Sequence, residues 1–307
     1  MTRYISARLL VTLPVIFGVT LAVFSMLFLI PGDPVKMMLS EFVTSPEQIA
    51  RMRTQLHLNE PFPRQYGRFV WNALHGDLGN SIRDRRPVTV EIGEVAPSTM
   101  QLAVAALAVS ALLGIALGIV AAVRQNSWLD MGSMALALAG VSMPSFWLGL
   151  LLIFGFSLRL GWFPATGGGS LDHLPLPALA LGLGAAAIIA RLTRSSMLEV
   201  LRMEYITTAR AKGLAHPGVI LRHGLKNALI PIITVFGLQF GALLANTVII
   251  ETVFGRPGVG RLLVGAILNK DFPLVQGVVL FVAVSYVLIN LVVDIMYAAI
   301  DPRIRYG

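Results

Sequence analysis

Six long uncharged, apolar stretches dominate this chain, at residues 9–30, 100–123, 131–158, 174–190, 228–250 and 272–293. A helix crossing the hydrocarbon core of a bilayer needs about 20 mostly apolar residues. In lipid every backbone polar group must be satisfied within the protein, which favours helices for spanning. The pattern therefore predicts an all-α integral membrane protein with six transmembrane helices. Composition agrees: 13% of the 307 residues are charged and 56% hydrophobic, with a mean hydropathy of +0.76. Soluble domains carry roughly 25% charged residues, so too few charges remain to cover two soluble domains. The first stretch is too long for the roughly 7–15-residue core of a signal peptide, and no small-residue cleavage site follows it. The helix-terminating "LIPGDP" at residues 29–34 follows instead.

Basic residues in short loops set orientation. Arg3 and Arg8 precede the first stretch, and Arg124 lies between the second and third. Arg191, Arg194, Arg202, Arg210, Lys212, Arg222 and Lys226 crowd the fourth connection, and Arg303 and Arg305 end the chain. With six spans all four segments fall on one side, which predicts cytoplasmic N and C termini. The net charge of +8 is read as these loops facing a membrane, not as a nucleic-acid surface. Three units are expected: residues 1–30 as N-terminus and first helix, 31–98 as an external, mostly helical subdomain, and 99–307 as a five-helix core. That core carries a cytoplasmic loop at 196–227. Gly114 with Gly118, and Gly182 beside Gly184, predict close helix–helix approach. Pro14, Pro144 and Pro231 are expected to kink or start helices.

Several chemistries find no support. Zero cysteines exclude disulfides and thiolate metal sites. No lysine follows a glycine, so a phosphate-binding P-loop is missing. There is no H-E-x-x-H or G-x-S-x-G, and "GGGS" at 167–170 reads as a flexible reversal. Asp294 is the one charge expected inside the membrane, with Asn290 one helical turn before it. Gln239 and Asn246 share a face of the fifth span. These four are the candidate translocation-pathway residues, with hydrogen bonding between helices, or Asp294 paired with an interfacial arginine, as the other reading. Without a row of intramembrane charges, an ion-coupled carrier or channel is disfavoured.

Four segments go beyond composition: "LIPGDP", "GDLGNSI" at 76–82, "EYITTARAKGLAHPGVILRHGLKNALIP" at 204–231, and the run from "IETVFGRPGVGRLLVGAILNKDFPLVQG" at 250–277 to the C-terminus. In order and spacing they resemble the dipeptide/oligopeptide/nickel family of bacterial ABC-importer permeases, and specifically its B-type membrane subunit. The resemblance covers essentially the whole chain. It implies a type I importer permease in the bacterial inner membrane, carrying short peptides or peptide-like solutes, with nickel or glutathione as variants. It also implies four kinds of partner: a second, C-type permease, two cytoplasmic ATPases, an external solute-binding protein and membrane lipid. ATP and Mg would be bound by the ATPases, leaving this chain with no cofactor, no metal and no catalytic residue.

The family's coupling segment reads Glu-Ala-Ala, three residues, Gly, nine residues, Ile, any residue, Leu-Pro. Anchored on Gly213, it aligns Ala209 with the second alanine and Leu225 with the leucine; Thr207, Thr208, His223 and Lys226 depart from it. The resemblance thus assigns ATPase coupling to Thr207, Thr208, Ala209, Arg210, Gly213, Leu214 and Leu225. Physically, residues 196–212 read as one amphipathic helix capped by Gly213, with Pro217 starting a second. Ala209 and Gly213, one turn apart, are expected on the face that enters a partner's groove. Phe254, Pro257, Gly258, Gly260 and Arg261 form a rigid turn after the fifth span, expected as an external gate, a docking surface for the binding protein, or both.

Overall fold

A computed structural model gives the fold and describes residues 2–29, 46–55 and 59–300. Apart from one isolated bridge between Asn80 and Pro87, the regular structure among these residues is helical. Helix α1 (Thr2–Leu29) keeps Pro14 inside it, and α2 (Pro46–Gln55) and α3 (Phe62–Leu74) follow. Then come α4 (Val88–Val123), α5 (Trp128–Ser142) and α6 (Ser145–Leu152), the last running on as a π-helical turn, Ile153–Arg159. Helix α7 (Pro175–Leu201) leads into the short α8 (Glu204–Ala211). A single turn, His216–Gly218, and a π-helical segment, Val219–Leu225, feed α9 (Lys226–Val253). Helices α10 (Val259–Leu268) and α11 (Phe272–Ile300) complete the chain.

Of the six expected spans, the described residues give four to five by length and composition. Among the described residues, four helical segments are long and apolar enough to cross a membrane: Val88–Val123, Leu171–Leu201, Pro231–Val253 and Phe272–Val293. A fifth exists if the bent pair Trp128–Ser142 and Ser145–Arg159 is one span; the two halves meet at 106°. The stretch expected as one span over 131–158 is therefore broken. The cause is Pro144, whose ring pushes Met143 out of the helical region to φ −93°, ψ 130°. The first expected span lies within α1, whose apolar part among the described residues, Leu10–Met26, is at the short end of what a crossing takes.

Helix α4 begins twelve residues before the apolar stretch at 100–123. Pro87, extended at φ −58°, ψ 129°, sets its start. At 1.5 Å per residue it is about 54 Å long, well beyond the roughly 30 Å hydrocarbon core. The 98/99 boundary thus falls inside one helix. Of the segment before it, α3 packs on α1 through an aromatic cluster of Phe24, Phe28, Phe62, Tyr66 and Phe69, with Thr20 bonded to the Tyr66 hydroxyl at 2.8 Å. Residues 30–45 and 56–58 lie outside the described residues.

The centre of the bundle is α4 against α7, its most extensive helix pair. A Cβ on Gly114 would lie 2.7 Å from the Ala186 carbonyl and from Ile189; one on Gly118 would lie 2.6 Å from the Ala190 carbonyl and 2.5 Å from Thr193. From the other side, a Cβ on Gly182 would lie 2.6 Å from the Ala106 carbonyl. Backbone thus meets backbone, as expected where lipid supplies no hydrophobic drive. Gly184 makes no such approach. One end of α4 packs with α10 and α11 (Val88, Ile92, Val259, Ala266, Val278), the other with α7, the π-helical segment and α9 (Ala122, Met197, Ile220, Ala228).

Gly118→Leu should cost about 1–3 kcal/mol through overpacking, read as a lowered unfolding temperature in detergent. Gly132→Ala, on α5 where a Cβ meets nothing within 4 Å, should not lower that temperature, since Ala favours a helix interior over Gly.

Candidate functional site

Three places gather the candidate residues. The first is an elbow at the Ala122 end of the bundle. The single helix expected over 196–212 is two: α7 stops at Leu201, Met203 is extended at ψ 147°, and α8 starts at Glu204. Helix α8 turns Ile206 and Ala209, three apart, inward against Val219 and Leu201. This corrects the placement of Ala209 on an outward face: it is buried, and its small size suits packing inside the elbow. Thr207, Thr208, Arg210 and Leu214 are exposed, and Leu225 is half-buried.

Gly213 closes α8 as expected. Its φ is +77°, its N–H donates to the Arg210 carbonyl at 3.0 Å, and the Leu214 N–H reaches the Ala209 carbonyl at 3.4 Å. That pair of reversed bonds is a Schellman cap, which favours a residue able to hold the left-handed conformation. No atom lies within 4 Å of a Cβ there, so backbone, not space, is what this chain asks of Gly213. The Asn227 amide donates to the Tyr205 hydroxyl at 2.8 Å, tying α8 to the start of α9. Just beyond the elbow, the Arg194 guanidinium holds the Asp130 carboxylate through two bonds of 2.7 Å, joining α7 to α5. Arg194 had been grouped with loop arginines; it belongs to α7.

The second place, at the Val88 end, is the turn 254–261. Phe254, Gly258 and Gly260 are buried; Pro257 and Arg261 are exposed. The turn is organised around Glu251, fully buried and unanticipated from sequence. Its carboxylate accepts from the Thr99 hydroxyl (2.6 Å), the Gly260 N–H (2.8 Å) and the Arg261 N–H (3.3 Å), while the Val259 N–H donates back to Thr99 (2.8 Å). A Cβ on Gly258 would lie 2.1 Å from the Glu251 carboxyl carbon, and one on Gly260 would lie 2.2 Å from the Val248 Cα. Most of the turn is thus an internal joint of α4, α9 and α10, with Pro257 and Arg261 left to meet anything outside. The "GGGS" segment, expected to be flexible, is seated on it: the Gly167 N–H donates to the Phe254 carbonyl at 2.9 Å, and Gly168 sits against Pro257.

Arg256 is also buried; its Nη2 reaches the Ser98 carbonyl and the Gln101 side chain at 3.4 Å. Burial lowers its proton affinity and the nearby Glu251 charge opposes that. Glu251 and Arg256 escaped notice because the fifth apolar stretch ends at residue 250, just before both; the signal was the acid–base pair bracketing "TVFG".

The third place is the pathway set, which the structure divides. Gln239 and Asn246 line one cavity of about 330 Å³ against the α5–α6 break (Gly140, Met143, Ser145) and α7. Asn246 bonds its own helix at the Ala242 carbonyl (3.0 Å), while the Gln239 Nε2 is enclosed without a partner. Irregular backbone at such depth is tolerated where it lines a cavity. Asn290 lies elsewhere, in a cleft of about 560 Å³ between α1, α9 and α11 with Arg8 and Tyr286. Sequence spacing cannot tell which face of α11 turns toward α9 and which toward α1. The Asp294 side chain lies outside the described residues. Among the described residues, no three His, Cys, Asp or Glu side chains converge as a metal site requires.

Two family signatures match the chain: the N-terminal part of the binding-protein-dependent transport system membrane components over residues 1–103, and their inner membrane component over residues 114–306. The chain belongs to this family of ABC-importer permeases, multi-pass proteins of the inner membrane. It is 44% identical over its full length to the glutathione transport system permease protein GsiC of Escherichia coli, and 44% identical to the dipeptide transport system permease protein DppB of Alkalihalophilus pseudofirmus; each alignment covers all of both chains. Among solved structures, an inward-facing MetNI methionine ABC transporter matches 69% of this chain and 96% of its own at a TM-score of 0.60 and 18% identity. An amino acid ABC transporter crystallised with histidines matches 70% and 94% at 0.52 and 16%. These two matches concern the fold.

The Glu251 joint predicts a specific cost. Thr99→Val strips one donor from a buried carboxylate and the acceptor from the Val259 N–H, each worth about 1–3 kcal/mol when left unsatisfied. The variant should unfold at clearly lower temperature in detergent, and Thr99→Ser, which keeps the hydroxyl, should recover most of the loss.

Proposed function

We propose that this chain is the membrane subunit that forms half of the translocation pathway for short peptides or peptide-like solutes such as glutathione. A second permease completes the pathway, two separate ATPases drive it from the cytoplasm, and an external solute-binding protein delivers the cargo. The observation that carries this reading is the full-length, 44% identity to permeases named for glutathione and dipeptide transport. Nickel, a variant within the same family, is less well supported, because no group of metal-ligating side chains is found among the described residues. A self-sufficient ion-coupled carrier or channel would need intramembrane ionisable residues lining a path; the cavity of Gln239 and Asn246 is lined by uncharged residues.

The elbow is the proposed ATPase contact. It offers an exposed edge, Thr207, Thr208, Arg210 and Leu214, on a short helix fixed by the Schellman cap and by Tyr205–Asn227. In this reading both termini and the elbow are cytoplasmic, and the 76–98 segment, Pro257 and Arg261 face outward, where the binding protein docks. Lipid contacts the large apolar side chains exposed on α1, α4, α5 and α6.

Two measurements test this. In the importer assembled with its partners, Gly213→Val forces a β-branched residue to positive φ and should lower glycyl-leucine or glutathione uptake about 5- to 30-fold at matched membrane levels. Gly213→Asn, which tolerates that conformation, should retain most uptake; equal activity of both variants would remove the elbow from coupling. For orientation, Asn80→Cys should react with an impermeant thiol reagent applied outside intact cells, and Gln125→Cys only after the membrane is opened. The reverse pattern would invert the proposed topology.

A further inference from the structure

A cavity of about 390 Å³ opens at the Val88 end of the bundle, between the start of α4, the turn at 257–258, α10 and the start of α11. Its polar wall holds three carboxylates, Asp84, Glu91 and Asp271, and two guanidiniums, Arg83 and Arg261. Most of these are already committed. Asp271 accepts from the Ser81 hydroxyl at 2.5 Å and from the N–H groups of Ile82 (3.0 Å), Leu274 (3.3 Å) and Arg83 (3.4 Å). Arg83 is bonded to the Asn269 side chain, and Arg261 to the Gly255 carbonyl.

Glu91 is different. It is 7% exposed, and its Oε1 is enclosed with no hydrogen-bond partner. The nearby Arg86 pairs with Glu94 instead, at 2.5 Å. A buried carboxylate left without donors is costly, and here it sits in the wall of an open cavity beside the exposed Asp84. A cation with several N–H donors would supply the missing partner. A metal ion is the poorer fit, because no three ligating side chains converge there. The rest of the wall, Val95, Leu262, Ala266 and Leu274, is apolar. The volume falls within the roughly 300–1,000 Å³ of small-molecule sites, so it has room for more than a bare ammonium ion.

We propose that this cavity binds a primary ammonium group carried on a short apolar body, with Glu91 and Asp84 receiving the charge and the apolar wall receiving the body. The inference does not depend on which solute the assembled importer carries.

The test uses the full chain in phosphatidylcholine nanodiscs, with n-pentylammonium as probe and n-pentanol and n-pentanoate as its uncharged and anionic counterparts, binding being read by calorimetry or saturation-transfer NMR. The ammonium should bind at least about tenfold more tightly than either counterpart, as charge-assisted hydrogen bonds require. Glu91→Gln and Asp84→Asn should each weaken it, Glu91→Gln by about tenfold, while Glu94→Gln, whose carboxylate serves Arg86, should not. Repeating the titration with phosphatidylethanolamine in the discs separates two sources of the same chemistry. Weaker probe binding there assigns the ammonium to a lipid headgroup, and unchanged binding assigns it to a free solute. Equal affinity for pentanol and pentylammonium, or unchanged affinity in both carboxylate variants, would overturn the proposal. Should Glu91→Gln fail to fold, unchanged affinity in Asp84→Asn, which alters an exposed side chain, would overturn it alone.

Discussion

The backbone contact between α4 and α7 is what the rest of the molecule hangs on. Two helices brought together at Gly114, Gly118 and Gly182 have no flexible side chain between them to absorb a shift. In lipid this contact rests on van der Waals packing, since burial from a hydrocarbon solvent gives little. Packed interiors transmit displacement because they are close to crystal density. Each end of the pair then carries one specialised structure. Helix α7 leads at one end into α8, and at the other the "GGGS" segment preceding it is seated on the 254–257 turn. Helix α4 contributes Thr99 and Glu91 to the polar end and Ala122 to the cluster with Met197 and Ala228 beside the elbow.

Those two ends solve the same problem differently. Both must turn the chain sharply, and both use glycine, but for separate reasons. Gly213 is needed for its left-handed backbone in an uncrowded place, whereas Gly258 and Gly260 are needed because a carboxylate and a backbone Cα occupy the space a side chain would take. The polar end is held by hydrogen bonds from Thr99, Gly260 and Arg261 to one buried acid. The elbow is held by a small apolar core of Ile206, Ala209 and Val219 and one tyrosine–asparagine bond. Fewer buried contacts make it the less protected joint.

Local chemistry was legible in the sequence; partners distant along the chain were not. Gly213 announced its cap through the basic, helix-forming run before it, and Pro144 announced a helix start through the rule on the residue preceding proline. The glycine pairs announced close approach, though not which helix would approach. Asp130 and Arg194, Thr99 and Glu251, and Ser81 and Asp271 are each separated by scores to hundreds of residues, and no periodicity links them. Ala209 misled for a related reason: a small residue at helical spacing suits a docking face and an internal core equally, and only the position of Val219 decides between them. The break in the third span was not legible because hydropathy measures how apolar a stretch is, not whether its axis is continuous.

The bent pair α5–α6 gives that last distinction a consequence. A helix broken at Pro144 leaves backbone groups that a continuous span would have paired, and they stand beside the cavity of Gln239 and Asn246. Its opposite walls come from α7 and α9, the two helices joined through the elbow. A force applied to α8 reaches α7 across the two residues Arg202 and Met203, and reaches α9 through Asn227. Helix α5 is drawn along by the Asp130–Arg194 pair. Three walls of one polar cavity are thus mechanically attached to a single short helix at the end of the bundle. Under the proposed function, that attachment is how a partner's movement would change the shape of the cavity without touching it.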